Sequence, residues 1–147
     1  MTNTHFDERF FSDDEEILWE LIEESPEAVM VDWREEEEEI IRSINQVIAP
    51  YKISFEWMGN DDIQIQYKEK ERLLGLSFSL KDRYICLRAI NDILQDEYEL
   101  RLFELSFNSD THLFLVKPGS WWADFDQLHP KRSAQLFRII GPDLDFP

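Results

Sequence analysis

The stretch IIRSINQVIAPYKISFE (40–56) returns, altered, as CLRAINDILQDEYELRLFE (86–104). Ile41-Arg42-Ser43-Ile44-Asn45 matches Leu87-Arg88-Ala89-Ile90-Asn91, and Val47-Ile48 matches Ile93-Leu94. With one more residue in the second linker, Tyr51-Lys52-Ile53 matches Tyr98-Glu99-Leu100, and Asn60-Asp61-Asp62 matches Asn108-Ser109-Asp110. A period of about 45 residues is the mark of paired or stacked supersecondary units. Each unit here reads as a helix followed by a β-hairpin. A hairpin with one apolar face cannot bury that face alone, so the two units must pack on something shared.

The elements follow from periodicity. From Trp33 the apolar positions are 33, 40, 41, 44, 47 and 48, a helical stripe. Tyr51, Ile53, Phe55 and Trp57 alternate with polar residues, Gly59-Asn60-Asp61-Asp62 is turn chemistry, and Ile63, Ile65 and Tyr67 alternate again. LLGLSFSL (73–80) reads as a third strand, buried on both faces. The segment RYICLRAINDIL (83–94) fits strand or helix by pattern alone; its match to the first unit makes it a helix. Ser12-Asp13-Asp14-Glu15 reads as a capping box for a helix carrying Ile17, Leu18, Leu21 and Ile22. Ser25 and Pro26 then offer the cap and first position of a further helical segment, and Asp32-Trp33-Arg34-Glu35 a second possible start; one helix with a bend or two short ones would both fit. At the other end Ser120 caps a helix with Trp121, Trp122, Phe125 and Leu128; Pro130 breaks it, and Ala134 to Ile140 reads as a last helix. The expected fold is α+β, a single domain over 1–147, with an antiparallel sheet of about five strands covered by helices. The repeat units are 33–70 and 80–117. Acidic helices occupy 12–39 and C-terminal helices 120–140.

The charge is uneven. Residues 1–39 hold 16 Asp and Glu against two Arg, a net of −14; residues 40–147 hold 16 against 13 bases, a net of −3. Glu35 to Glu39 form an unbroken run at the start of the first repeat helix, and the second repeat has no such run. Five successive residues cover every side of a helix, so the run is not one flat blade. Glu37 falls on the apolar stripe. Early in a helix the dipole favours the negative charge, and Glu38 and Arg42 can pair at i,i+4. A fold that does without the run in its second copy does not need it for packing, which favours a surface role. A net charge of −17 makes free nucleic acid and anionic membranes poor partners and a basic protein a good one.

No constellation for chemistry emerges. His5, His112 and His129 are scattered, without HExxH spacing, and no EF-hand loop is present, so no metal is expected. Ser109-Asp110-Thr111-His112 has suggestive residue types, but they sit on a tight turn with no nucleophile elbow. Four glycines make no phosphate-binding loop. Cys86, the lone cysteine, lies on the apolar side of a helix and reads as a small buried residue. It excludes an intramolecular disulfide, and a cytoplasmic home is expected. The start, MTNTHFDERFFSDDEE, lacks the basic and apolar regions of a signal peptide. The expectation is no enzyme, no cofactor and no membrane span.

Size, acidity, the lone cysteine and the α+β layout, together with SDTHLFLV (109–116) followed by PGSWW (118–122), resemble the small acidic immunity proteins that bacteria pair with polymorphic or contact-delivered toxins. The resemblance implies a tight complex that neutralises one cognate toxin. It carries over no site residues. The alternatives are a nucleic-acid-mimicking inhibitor of a DNA- or RNA-binding enzyme and an effector chaperone or adaptor. The candidate partner-binding residues are Asp13, Asp14, Glu16, Glu20, Glu35, Glu36, Glu38 and Glu39, with Asp61 and Asp62 at the hairpin turn. Trp57 and Trp122 are the candidate aromatic anchors. For the adjacent Trp121 and Trp122, whose side chains diverge by about 100° on a helix, a place in the core is the preferred reading.

Overall fold

The computed structural model describes residues 6–32, 37–59, 62–75, 82–95, 97–109 and 111–140. Helix α1 (Glu15–Glu24) leads to strand β1 (Ala28–Asp32) and helix α2 (Glu37–Asn45). Strands β2 (Ser54–Trp57), β3 (Asp62–Tyr67) and β4 (Lys70–Gly75) precede helix α3 (Asp82–Leu94). Strands β5 (Tyr98–Phe103) and β6 (Thr111–Pro118) are followed by helices α4 (Gly119–Leu128) and α5 (Pro130–Leu136) and a short strand, β7 (Phe137–Ile139). The protein is α+β, with antiparallel sheets and helices packed on them. Each of the two sequence-matched segments runs from a helix, α2 or α3, into an antiparallel hairpin, β2–β3 or β5–β6.

The hairpins do not share one sheet. Among the described residues β1-β6-β5-β7 form a four-stranded sheet and β2-β3-β4 a three-stranded one, in place of the single sheet of about five strands. The division follows from which faces are apolar. In β5, Leu100 and Leu102 point to one core while Phe103 points to the other. In β6, Phe114 and Val116 join the first core and Leu113 and Leu115 the second. The four-stranded sheet is therefore buried on both faces, as its near-continuous apolar strands require. One face packs with α2, α3 and the three-stranded sheet through Ile40, Ile41, Ile44, Leu87, Ile90 and Ile65. The other packs with α1, α4 and α5 through Leu18, Ile22, Trp122, Phe125 and Leu136. The small sheet has one wet face, on which Gln66, Glu71 and Leu73 are exposed.

Two helical expectations are corrected. The acidic segment 12–39 is not continuous helix, because Ala28–Asp32 is a strand paired with β6. Val29 and Val31 alternate with Met30, which suits a pleated surface better than a helix. Ser25 ends α1 as its C-cap, and a turn closed by Ala28 N–H on Ser25 O (3.1 Å) leads into β1. Likewise 120–140 is not all helix. Phe137–Ile139 lies beside β5, with Phe137 opposite Phe103. The caps shift too. Asp14, not Ser12, caps α1, its carboxylate accepting from Glu16 N–H at 2.9 Å. Helix α4 begins at Gly119, with no side-chain cap from Ser120. The third strand begins at Lys70, and its described part is not buried on both faces, since Leu73 is exposed on the wet side; 76–80 are outside the described residues.

Candidate partner-binding surface

Helix α2 begins with Glu37, Glu38 and Glu39, and its apolar side is locked in the core by Ile40, Ile41 and Ile44. That anchoring fixes where the glutamates point. Glu37 faces inward: its carboxylate lies near enough to Cys86 to add to the effect of burial, which already raises the thiol's pKa. Cys86 is buried and in its neutral form, not a reactive thiol. Glu38 turns outward and accepts a short hydrogen bond from the Trp57 indole N–H, while Arg42 Nη2 reaches its other oxygen at 3.2 Å. Glu39 is exposed beside it.

Trp57 ends the edge strand β2. It sits on the inward face of the small sheet, opposite Ile63, yet the strand runs out there and 41 % of the residue is exposed. Met58 follows, 50 % exposed. Gly59 then turns the chain at φ +83°, a conformation L side chains rarely adopt, and Met58 N–H closes the turn on Asp62 O at 2.8 Å. Two large apolar side chains thus lie at a hairpin tip beside the Glu38 carboxylate and near the half-buried Asp62. An apolar centre within a polar rim is the anatomy of a protein-binding patch. Met58 was not among the residues singled out from sequence; nothing local distinguishes it from a turn residue.

The other candidates are scattered. Asp13, Asp14, Glu16 and Glu20 are exposed on and before α1. Because α1 packs on one face of the large sheet and α2 on the other, the acidic residues of 13–39 do not make a single face. Glu35, Glu36 and Asp61 lie outside the described residues. Trp122 is not an anchor: it is 1 % exposed, its indole N–H donates to Glu99 O at 2.8 Å, and Arg101 lies over its ring at 4.4 Å. Trp121 is half-buried and stacks on Phe125 at 5.2 Å.

Positive charge is engaged elsewhere. Arg101 is buried and grips Asp126 through two bonds of 2.7 Å, with Glu99 and Ser133 completing its shell. Arg101 in turn holds the Asp126 carboxyl below the usual carboxylate range. Lys68, at φ 55°, bonds Glu97 and sits 4.6 Å over the Tyr51 ring. Glu97 also accepts from the Tyr67 hydroxyl at 2.6 Å, so its pKa falls, through Lys68 first and Tyr67 second. These contacts clasp the β3–β4 turn to the linker before β5, around an open cleft of about 560 Å³. Arg9 pairs with Asp7 and Glu24, Arg72 with Asp92, Lys117 with Glu27 and Arg138 with Glu104. By contrast Asp13, Glu15, Glu16, Glu20 and Glu23 join no ion pair among the described residues.

Of Ser109-Asp110-Thr111-His112, Asp110 lies outside the described residues, and the others make structural bonds. The Ser109 hydroxyl accepts from Thr111 N–H at 3.3 Å, and the buried His112 ring meets Phe107 O at 3.1 Å. Among the described residues no three His, Cys, Asp or Glu side chains are grouped to hold a metal ion. No described helix is long and apolar enough to cross a membrane. No protein family, curated protein or solved structure matches the chain.

Proposed function

We propose that the chain is a non-catalytic binding protein whose partner is a basic protein, and that it acts as an immunity protein, neutralising a cognate bacterial toxin by tight complex formation. The observation that carries this is the Trp57–Met58 tip. Of the four described tryptophans Trp57 is the most exposed, and it is held in place by an acidic residue at the start of α2. Fixing an indole before encounter lowers the entropy lost when it enters a partner's pocket. The surrounding carboxylates speed the meeting with a basic surface.

The distribution of acid on both faces of the large sheet supports a protein partner over a nucleic-acid mimic, which needs its charge in one phosphate-like row. The test is genetic and functional. The open reading frames beside this gene are expressed singly in a bacterial host, with and without the chain. The immunity reading expects one of them to arrest growth, the chain to restore it, and Trp57→Ala to weaken the rescue. Growth arrest that the chain never relieves would remove the reading.

A further inference from the structure

Strand β1 divides the acidic segment and is an outer strand of the large sheet. Its register with β6 decides which backbone groups are free. Val116 N–H donates to Glu27 O at 2.9 Å, so residues 27 and 116 are a hydrogen-bonded pair of the antiparallel ladder. Alternation makes Val29–Phe114 and Val31–His112 the next such pairs, and it turns the N–H and C=O of Met30 away from β6. Ala28 N–H, which also points outward, is taken by Ser25 O. Among the described residues no backbone group outside the ladder bonds Met30. Its side chain is 55 % exposed. The middle of β1 therefore presents a donor, an acceptor and an apolar side chain.

Both acidic helices border this strand. Helix α1 contacts β1 from one face of the sheet and α2 from the other, and they carry the exposed carboxylates of Glu16, Glu20 and Glu39. A short strand with charged surroundings is how sheets discourage unwanted pairing. The discouragement here is selective. A second copy of this chain, at −17, is repelled, whereas an extended segment of opposite charge is drawn in.

We propose that the free edge of β1 is a strand-pairing site for a lysine- or arginine-rich extended segment of the partner, paired at Met30 and bordered by the carboxylates of α1 and α2. This rests on the reading of the partner as a basic protein. Main-chain pairing supplies affinity and register, and the flanking acids select the charge of the incoming strand.

The probe is a synthetic eight-residue peptide of alternating Lys and Val, titrated into the full-length isotope-labelled protein by NMR. The Met30 amide is expected to shift, and its hydrogen exchange to slow by about tenfold or more as its N–H gains a partner. Met30→Pro removes the outward donor without touching the β1–β6 ladder, so binding falls by about tenfold, the worth of one or two hydrogen bonds. Met30→Ala keeps affinity within about threefold, since backbone groups carry the pairing. A second arm does not depend on how a variant folds: the same peptide N-methylated at alternate amides keeps its charge, loses its pairing edge and is expected to bind at least about tenfold more weakly. Equal binding of the parent and N-methylated peptides, or an unchanged Met30 amide on binding, overturns strand pairing and leaves the basic-partner reading standing. A Glu/Val peptide that binds as well as the Lys/Val peptide overturns both.

Discussion

Asn91 does in the second unit what Asn45 does in the first. Asn45 Oδ1 accepts from Ile53 N–H at 2.7 Å, and Asn91 Oδ1 accepts from Leu100 N–H at 2.9 Å. Each asparagine sits near the end of its helix and reaches across the linker to the start of its hairpin, to Ile53 just before β2 and to Leu100 in β5, at the positions that match in sequence. Asn45 adds a second bond, from Nδ2 to Ile53 O at 2.9 Å, but it is half-buried, whereas Asn91 is buried. Asn91→Ala leaves the Leu100 N–H without water or partner, and an expected cost of about 2 kcal/mol follows; Asn45→Ala, whose site water can reach, should cost about 1 kcal/mol. Urea midpoints with unchanged m-values would measure both.

The Arg101–Asp126 pair joins β5 to α4 in a place where Arg101 has lost its water. The Asp126 side chain is 42 % exposed, so water screens the pair, and Asp126→Asn should cost about 1–2 kcal/mol, between the surface and buried ranges. The pH dependence has a definite sign. The folded-state pKa of Asp126 is lowered, so its contribution is complete above the unfolded carboxylate value of about 3.9 and is lost as pH falls through the folded value. The stability gap between wild type and Asp126→Asn should therefore be flat above about pH 5 and close below about pH 4. A gap that widens in acid contradicts this account of the pair.

The tryptophans should separate cleanly. Trp122→Ala empties a filled core position between β5, α4 and β7 and should cost about 3–5 kcal/mol. Trp57→Ala removes a half-exposed ring held by one surface bond and should cost under about 1 kcal/mol. Chemical denaturation of the two variants side by side checks the assignment of Trp122 to the core and Trp57 to the surface.

The places where sequence reasoning succeeded and failed have physical causes. Helix α3 was legible because its match to the first unit resolved a pattern that suits strand or helix, and the inward turn of Glu37 followed from its place on the apolar stripe. Strand β1 was not legible, because Ser25-Pro26 is chemically a good helix start. The Ser25 hydroxyl instead accepts from Glu27 N–H (3.3 Å) and donates to its carboxylate (2.8 Å), holding a turn. Phe137–Ile139 is a strand because β5 offers it an edge, which no local pattern announces. Which of two adjacent tryptophans goes inside is decided by the Glu99 carbonyl and the Arg101 guanidinium, both on β5. The meeting of Glu38 with Trp57 spans 19 residues of chain and is a product of packing α2 against the small sheet.

The central claim is that the acidic side chains of α1 and α2, on opposite faces of the large sheet, together draw a basic protein to this chain. The most direct test is the association rate with the growth-arresting protein that the chain relieves, measured over a salt series. Wild type is compared with the combined variant Glu16→Gln, Glu20→Gln, Glu38→Gln and Glu39→Gln. Long-range attraction acts on encounter, so the variant should associate about tenfold more slowly at low salt, with a flatter salt slope and a dissociation rate changed much less. Identical association rates and identical slopes would contradict the claim and leave the charge a role in solubility alone.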